Sequence, residues 1–375
     1  MQLLGRAREL EKQGHCVVHF EVGEPDFVTA EPIVAAAHSA LDAGFTGYTQ
    51  ALGLPELRQA IADDYTSRHN LSIPAERIVV TTGASGGLLL LMSALLNPGE
   101  EILLTDPGYP CNANFAQAVG AHGRALPVDE NSQFQLTAQH AASEWREQTR
   151  GILLASPANP TGSMIPRSEL KLLGGLVAEK GGFLLLDEIY QGLHIGKLEY
   201  QSGLQVVDNL FVINSFSKYF GMTGWRLGWL VIPEFACAAI EALAQNLFIS
   251  PPSIAQHAAL AAFSPEAMRI HESRRQEFVL RQECLRQGLL ALGFRIPVYP
   301  EGAFYLYVDI SHTAMDAETF CWRLIEEFHV AVTPGTDFGS HCAQRFVRFA
   351  FTTGLVSVEL GLQRIAAALE KWSTE

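Results

Sequence analysis

The residues best suited to covalent chemistry in this sequence are a lysine and the hydroxyl groups beside it. Residues 215–218 read Ser-Phe-Ser-Lys, and Arg226 follows eight positions after Lys218. Because an apolar run at 210–213 precedes them, we expect Lys218 at the end of a buried strand, where desolvation lowers the pKa of the amine and favours attack on a carbonyl. The serines and the guanidinium suit a dianionic phosphate. The segment predicts a lysine that binds a phosphorylated aldehyde, although by itself it is equally typical of a serine-rich surface loop.

Pyridoxal 5'-phosphate is such an aldehyde, and other segments offer the groups that its ring needs. Its ring nitrogen must stay protonated, which requires a buried carboxylate. Asp187 follows the apolar residues 183–186 and suits that role, although alone it is also typical of a helix cap. Asn159 and Tyr190 can donate hydrogen bonds to the phenolic oxygen of the ring. Either one alone would more often be a turn asparagine or a core tyrosine.

Two segments further upstream can hold the phosphate and cover the ring. Residues 78–82 read as a strand, residues 83–87 as a glycine-rich turn and residues 88–96 as a helix. Helix N-termini bind phosphate through free N–H groups, although such a turn is weak evidence alone. Tyr109 ends the next strand pattern, where its ring could stack on the pyridine or simply be a core or interface residue.

These segments together resemble the fold-type I aminotransferases of the aspartate aminotransferase superfamily, class I and II, over nearly the whole chain. The resemblance implies that Lys218 forms the Schiff base, that Asp187 contacts the ring nitrogen, that Asn159 and Tyr190 contact the phenolic oxygen and that Tyr109 stacks on the ring. The catalytic residues are then Lys218, Asp187 and Tyr190. The phosphate ligands that it implies are Gly83, Ala84, Ser85, Ser215, Ser217 and Arg226, together with Tyr48 from the neighbouring subunit of a homodimer.

The same resemblance implies a substrate site. Gly23, in Val-Gly-Glu-Pro-Asp-Phe, would contact the substrate carboxylate through its backbone, next to Asn159, and Arg348 would clamp the α-carboxylate with a bidentate pair. Without the family, Arg348 would be interpreted as a charge on an edge strand. The resemblance also predicts cis peptide bonds before Pro107 and Pro160.

Composition excludes several classes of function. The net charge of −14 argues against nucleic acid or an anionic membrane as the main partner. The six cysteines form no Cys-x-x-Cys pair and no histidines cluster at metal-ligand spacing, so we expect reduced cysteines, no metal site and a cytoplasmic protein. The longest apolar run, residues 88–96, is too short to cross a bilayer.

The elements that must position these residues form two predicted domains. Short apolar strands alternate with helical stretches from about residue 78 to 232, which predicts an α/β fold whose large domain has a mostly parallel sheet flanked by helices. Ligands on such sheets lie at the carboxyl ends of the strands. Residues 304–309 and 345–351 alternate like antiparallel strands of a smaller α+β domain. We predict a large cofactor-binding domain at residues 31–264 and a small domain that combines residues 1–30 with 265–375.

The predicted function is transfer of an α-amino group from an amino acid to a 2-oxo acid. We expect a donor with a neutral side chain, because Gln245 stands where one related subgroup has an arginine for the distal carboxylate. Arg124 or Lys197 could still fold into the site and supply a cation. A β-lyase of the same superfamily, which cleaves carbon–sulfur bonds, is the alternative. A non-catalytic effector-binding module is less favoured, since it would need a winged-helix segment upstream.

Overall fold

A seven-stranded sheet forms the centre of the computed structural model, which describes residues 2–196 and 198–374. Its strand order is β2-β8-β7-β6-β5-β3-β4, and β8 runs antiparallel to both of its neighbours while the other pairs are parallel. The mostly parallel sheet is therefore confirmed. The strands are β1 (Val18–His19), β2 (Ile78–Thr81), β3 (Glu101–Asp106), β4 (His122–Pro127), β5 (Thr149–Ala155), β6 (Phe183–Asp187), β7 (Phe211–Ser215), β8 (Gly228–Val231), β9 (Tyr305–Asp309), β10 (Val330–Ala331), β11 (Thr333–Pro334) and β12 (Phe346–Ala350).

Helices cover both faces of this sheet, which explains why its central strands are almost continuously apolar. Successive side chains of a strand point to opposite faces. Leu184 and Leu186 accordingly join one buried cluster, and Leu185 joins the cluster on the other face. The helices are α1 (Gln2–Lys12), α2 (Glu31–Asp42), α3 (Pro55–His69), α4 (Gly83–Leu95), α5 (Cys111–Ala118), α6 (Ala138–Glu144), α7 (Arg167–Glu179), α8 (Cys237–Phe248), α9 (Ser253–Leu260), α10 (Pro265–Ala291), α11 (Ala317–Phe328) and α12 (Leu355–Trp372).

A second, smaller sheet contains β11, β12 and β9 in antiparallel order, as the alternating segments predicted. Strand β1 near the N-terminus pairs with β10, so the two ends of the chain meet in this part of the molecule. The exact domain boundaries at residues 30 and 264 stay a prediction. Among the described residues, no helix is both long and apolar enough to cross a membrane.

The peptide bonds before Pro107 and Pro160 are cis, which confirms both predictions. The bond between Ser156 and Pro157 is also cis, and this one was not predicted. All three bonds follow the carboxyl ends of strands β3 and β5, where the chain turns toward the site described next.

Candidate active site

Strand ends and the N-terminus of α4 converge on a cavity of about 530 Å³. Parallel strands bring their carboxyl ends to the same edge of a sheet, so residues far apart in sequence meet there. Most of the predicted site residues line this cavity: Gly23, Ala84, Ser85, Tyr109, Asn159, Asp187, Tyr190, Ser215, Ser217, Lys218, Arg226 and Arg348.

Lys218 extends into the cavity from the turn after β7. Its Nζ donates a hydrogen bond of 2.6 Å to the carbonyl of Gly23, and it lies 5.8 Å from the ring centre of Tyr190 and 5.6 Å from that of Phe304. Burial, together with the positive charge of Arg348, lowers the pKa of this amine to about 8. A neutral, nucleophilic amine is therefore accessible near physiological pH.

Asp187 is the last residue of β6, and its buried carboxyl group also lines the cavity. Burial raises its pKa to about 6, while the backbone N–H of Ile189, at 3.0 Å, and the charge of Lys218 favour the ionised form. A buried carboxylate needs a nearby cation to stay ionised, and a protonated ring nitrogen beside Asp187 would supply one. This carboxylate fits the pyridine nitrogen of pyridoxal phosphate.

The start of α4 and Arg226 form a cradle for an anion. The first turn of a helix has N–H groups without intrahelical partners. Gly83 has a φ of +75°, and a Cβ there would lie 2.7 Å from Nη2 of Arg226. A Cβ at Gly228 would lie 2.8 Å from the backbone of Gly83, so glycine is required at both positions. The hydroxyl of Ser215 donates to that of Ser217 at 2.9 Å. The arrangement suits a phosphate dianion.

Arg348 is held in place by backbone and side-chain oxygens. Its Nη1 donates to Oδ1 of Asn159 at 2.9 Å, and its Nη2 donates to the carbonyl of Glu21 at 2.6 Å. The buried Nε has no hydrogen-bond partner among the residues that the structure describes. An oriented guanidinium with an open donor in a cavity is suited to a carboxylate.

Tyr305 is a cavity residue that sequence reasoning missed. The guanidinium of Arg348 lies 4.3 Å from the centre of its ring, and its hydroxyl shares a hydrogen bond of 2.8 Å with that of Tyr190. A Cβ at Gly23 would collide with the same hydroxyl, which explains the glycine. The alternating pattern of 304–309 marked this residue only as part of a strand, and no local signal distinguishes it from a core tyrosine.

Three of the residues considered lie away from this cavity. Tyr48 is 83% exposed, as expected of a residue that reaches a neighbouring subunit, but its role stays a prediction. The suggestion that Arg124 folds into the site is wrong. Arg124 belongs to β4, and its guanidinium pairs with Glu101 at 2.9 Å and with Glu144 at 2.7 Å. Gln245 is exposed on α8. Lys197 lies outside the described residues.

Comparisons with known proteins agree with this geometry. Residues 16–365 match the family described as aminotransferase class I and II. A valine–pyruvate aminotransferase from Mycobacterium tuberculosis is 38% identical, over 97% of this chain and 94% of its own. The crystal structure of an aminotransferase from the same organism superposes with a TM-score of 0.96 at 38% identity and covers 99% of this chain and 96% of its own. Aspartate aminotransferase from Thermus thermophilus with maleate has a TM-score of 0.91 at 32% identity, over 98% and 95% of the two chains.

Proposed function

Since the chain belongs to the class I and II aminotransferases, which are pyridoxal-phosphate-dependent enzymes, we propose that the cavity around Lys218 is its active site. The enzyme transfers the amino group of an amino acid to a 2-oxo acid. The observation that carries the assignment is the convergence of an amine with a lowered pKa, a buried carboxylate and a preoriented guanidinium on one cavity.

The cofactor would be held at four places. Asp187 would contact the ring nitrogen, Asn159 and Tyr190 the phenolic oxygen, and Tyr109 the face of the ring. The residues that would bind the phosphate are Gly83, Ala84, Ser85, Ser215, Ser217 and Arg226, with Tyr48 of a second subunit. When bound, the cofactor supplies an aldehyde carbon and an electron-withdrawing ring that makes the proton on the substrate's Cα acidic.

The protein's own side chains orient the substrate and move its proton. Arg348 binds the α-carboxylate, which fixes the Cα–H bond relative to the lysine. Nζ of Lys218 leaves the carbonyl of Gly23 and accepts the proton from Cα as a general base. The ring of Tyr305 packs against the guanidinium of Arg348 and keeps that group in its orientation.

We further propose that the preferred donor has a neutral side chain. Among the described residues that line the cavity, the cationic side chains are Lys218, Arg226 and Arg348, and each already has a role. A second carboxylate would be desolvated without a partner, which is costly. Val22 and Leu88 add apolar surface to the cavity. The name of the valine–pyruvate relative supports an aliphatic donor, whereas relatives named for aspartate are also found, at 31–35% identity.

A comparison of amino donors tests this proposal. The holoenzyme is assayed with pyruvate and with 2-oxoglutarate as acceptors, and valine, alanine, methionine, phenylalanine, glutamate and aspartate as donors. We expect the highest kcat/KM for a neutral donor. A kcat/KM for aspartate at least tenfold above every neutral donor, a gap of about 1.4 kcal/mol, would overturn the donor proposal. Absence of transfer from every donor would overturn the active-site assignment.

We also propose a homodimer in the cytoplasm. Tyr48 is exposed and does not line the cavity of its own chain, so it could contact a cofactor phosphate only in the cavity of a second subunit. The cysteines of the described residues are all free, which suits a reducing compartment.

A further inference from the structure

A second cavity, of about 630 Å³, lies beside the segment that carries Lys218. We name it the α3–α10 groove, because side chains at the end of α3 and at the start of α10 line it together with Tyr219, the residue after the lysine. The residues that matter here are Arg68, His69, His194, Tyr219, Arg269 and Glu272. The active-site assignment gives no role to any of them.

The groove has more positive charge than its acidic residues neutralise. Arg68 stacks 4.6 Å from the centre of the Tyr219 ring, and its ion pair within the described part of the chain is a long contact of 3.4 Å to Asp64. Arg269 is exposed, and no ion pair or hydrogen bond joins its side chain to another described residue. The carboxylate of Glu272 is already occupied by Arg275, with contacts of 2.6 to 3.0 Å. Arg68 and Arg269 therefore both face the groove with N–H donors that have no partner among the described residues.

Two imidazoles line the same groove, and one ring nitrogen of each has no hydrogen-bond partner among the described residues. The Nδ1 atoms of His69 and His194 are buried, and neither has a hydrogen-bond partner among the described residues. His69 is 4% exposed, and burial, together with the nearby charge of Arg68, lowers its pKa to about 4. Burial and the charge of Arg275 also lower the pKa of His194. Buried polar atoms normally have partners, so these two unpaired ring nitrogens beside two arginines need an explanation.

We propose that the α3–α10 groove binds a small, multiply charged oxyanion through Arg68 and Arg269. Such an anion would accept hydrogen bonds from both guanidinium groups and offset their mutual repulsion. It would also stabilise the charged form of the neighbouring imidazoles. A phosphate and a dicarboxylate both have this chemistry, and the experiment below distinguishes between them.

The test follows the imidazoles directly and does not depend on activity. Holoenzyme labelled with 15N-histidine is titrated with inorganic phosphate, with succinate in a parallel arm, and with potassium chloride at matched ionic strength. His69→Gln and His194→Gln assign the ring signals. We expect saturable shifts of both signals with phosphate, with succinate or with both, and none that saturate with chloride. The anion that saturates identifies the ligand class. Holoenzyme is used because its cofactor already fills the phosphate cradle at Arg226.

Matched arginine variants complete the test. Arg68→Met and Arg269→Met should each weaken anion binding by about tenfold or more, because hydrogen bonds between charged groups are stronger than those between neutral groups. Arg269 is exposed, so its replacement leaves the core unchanged. Arg286→Met is the control, since Arg286 lies on the same helix, pairs with Glu283 and does not line the groove. Ring signals that change only with ionic strength, or unchanged anion affinity in Arg68→Met and Arg269→Met, would overturn the proposal.

Discussion

At the scale of single residues, burial moves the two main ionisable groups of the cavity toward neutrality. It raises the pKa of Asp187 to about 6 and lowers that of Lys218 to about 8. Lys218→Ala should abolish transamination and leave the fold intact, since alanine keeps the backbone and removes the nucleophile. Borohydride reduction of the wild-type holoenzyme, followed by peptide mass analysis, should locate the pyridoxyl group on Lys218. Its appearance on another lysine would contradict the assignment.

Glu188, the neighbour of Asp187, gives a prediction about pH. Its side chain is buried, Oε1 accepts hydrogen bonds from Ser202 and Gly203, and Oε2 has no partner among the described residues. Burial raises the pKa of Glu188 from 4.5 to about 8. A raised pKa means that the folded state holds a proton that the unfolded state releases, so this group's contribution to stability is full below pH 4.5 and lost as pH rises to about 8.

Glu188→Gln should therefore remove that loss, because glutamine resembles the protonated acid and does not titrate. The free energy of unfolding of the wild type should fall relative to the variant between about pH 4.5 and 8, by up to a few kcal/mol, since one pKa unit corresponds to about 1.4 kcal/mol. Denaturant titrations at a series of pH values measure it. Glu283→Gln, on the surface of α10, serves as the control. Parallel pH profiles for wild type and Glu188→Gln would show that Glu188 is ionised in the folded protein.

At the scale of elements, the junction of β2 and α4 depends on Gly83. Gly83→Ala would place a Cβ 2.7 Å from Nη2 of Arg226 in a backbone of positive φ, which costs about 1 kcal/mol or more for an L-residue. We expect Arg226 to shift and the holoenzyme to lose pyridoxal phosphate more readily. Gly175→Ala in α7 is the control, because a Cβ there meets nothing within 4 Å. Equilibrium dialysis measures the cofactor affinity, and equal affinity in both variants would refute this role of Gly83.

At the scale of the whole molecule, one exposed apolar surface is where we predict that a second subunit would bind. Phe45 stacks on His257 at 4.7 Å, and the hydroxyl of Ser253 donates to the carbonyl of Gly47 at 2.6 Å, so the Tyr48 segment lies beside the start of α9. Ile249, just before α9, is 53% exposed and has a φ of 65°, which is rare for a β-branched residue. Such exposure and strain are typical of a surface completed by a partner.

Ile249→Asp should accordingly weaken the dimer, because a charge would be buried in an apolar interface. Sedimentation velocity at several protein concentrations measures the change, and activity should fall with dissociation. Val356→Asp provides the matched control, since Val356 is 81% exposed on α12, away from this surface. A wild-type enzyme that is active as a monomer would contradict the dimer.

The sequence by itself determined the elements and the residues at their ends. Apolar runs set the strands of the central sheet, and the polar residue after each run, such as Asp187 or Lys218, had to lie at one edge because parallel strands share their direction. The glycine-rich residues 83–87 likewise indicated an anion site at a helix N-terminus. The predicted turn before the helix was wrong, because these residues form the first turn of α4 (Gly83–Leu95). These features are local, and short-range patterns encode them.

Contacts between distant segments were decided only by the tertiary structure. Tyr305 reaches Arg348 and Tyr190 because β9 pairs with β12 in one register, and no local pattern specifies that register. Arg124 looked available as a substrate cation until the β3–β4 pairing set it beside Glu101. The α3–α10 groove likewise joins residues about 200 positions apart, so its charges are apparent only once the chain is folded.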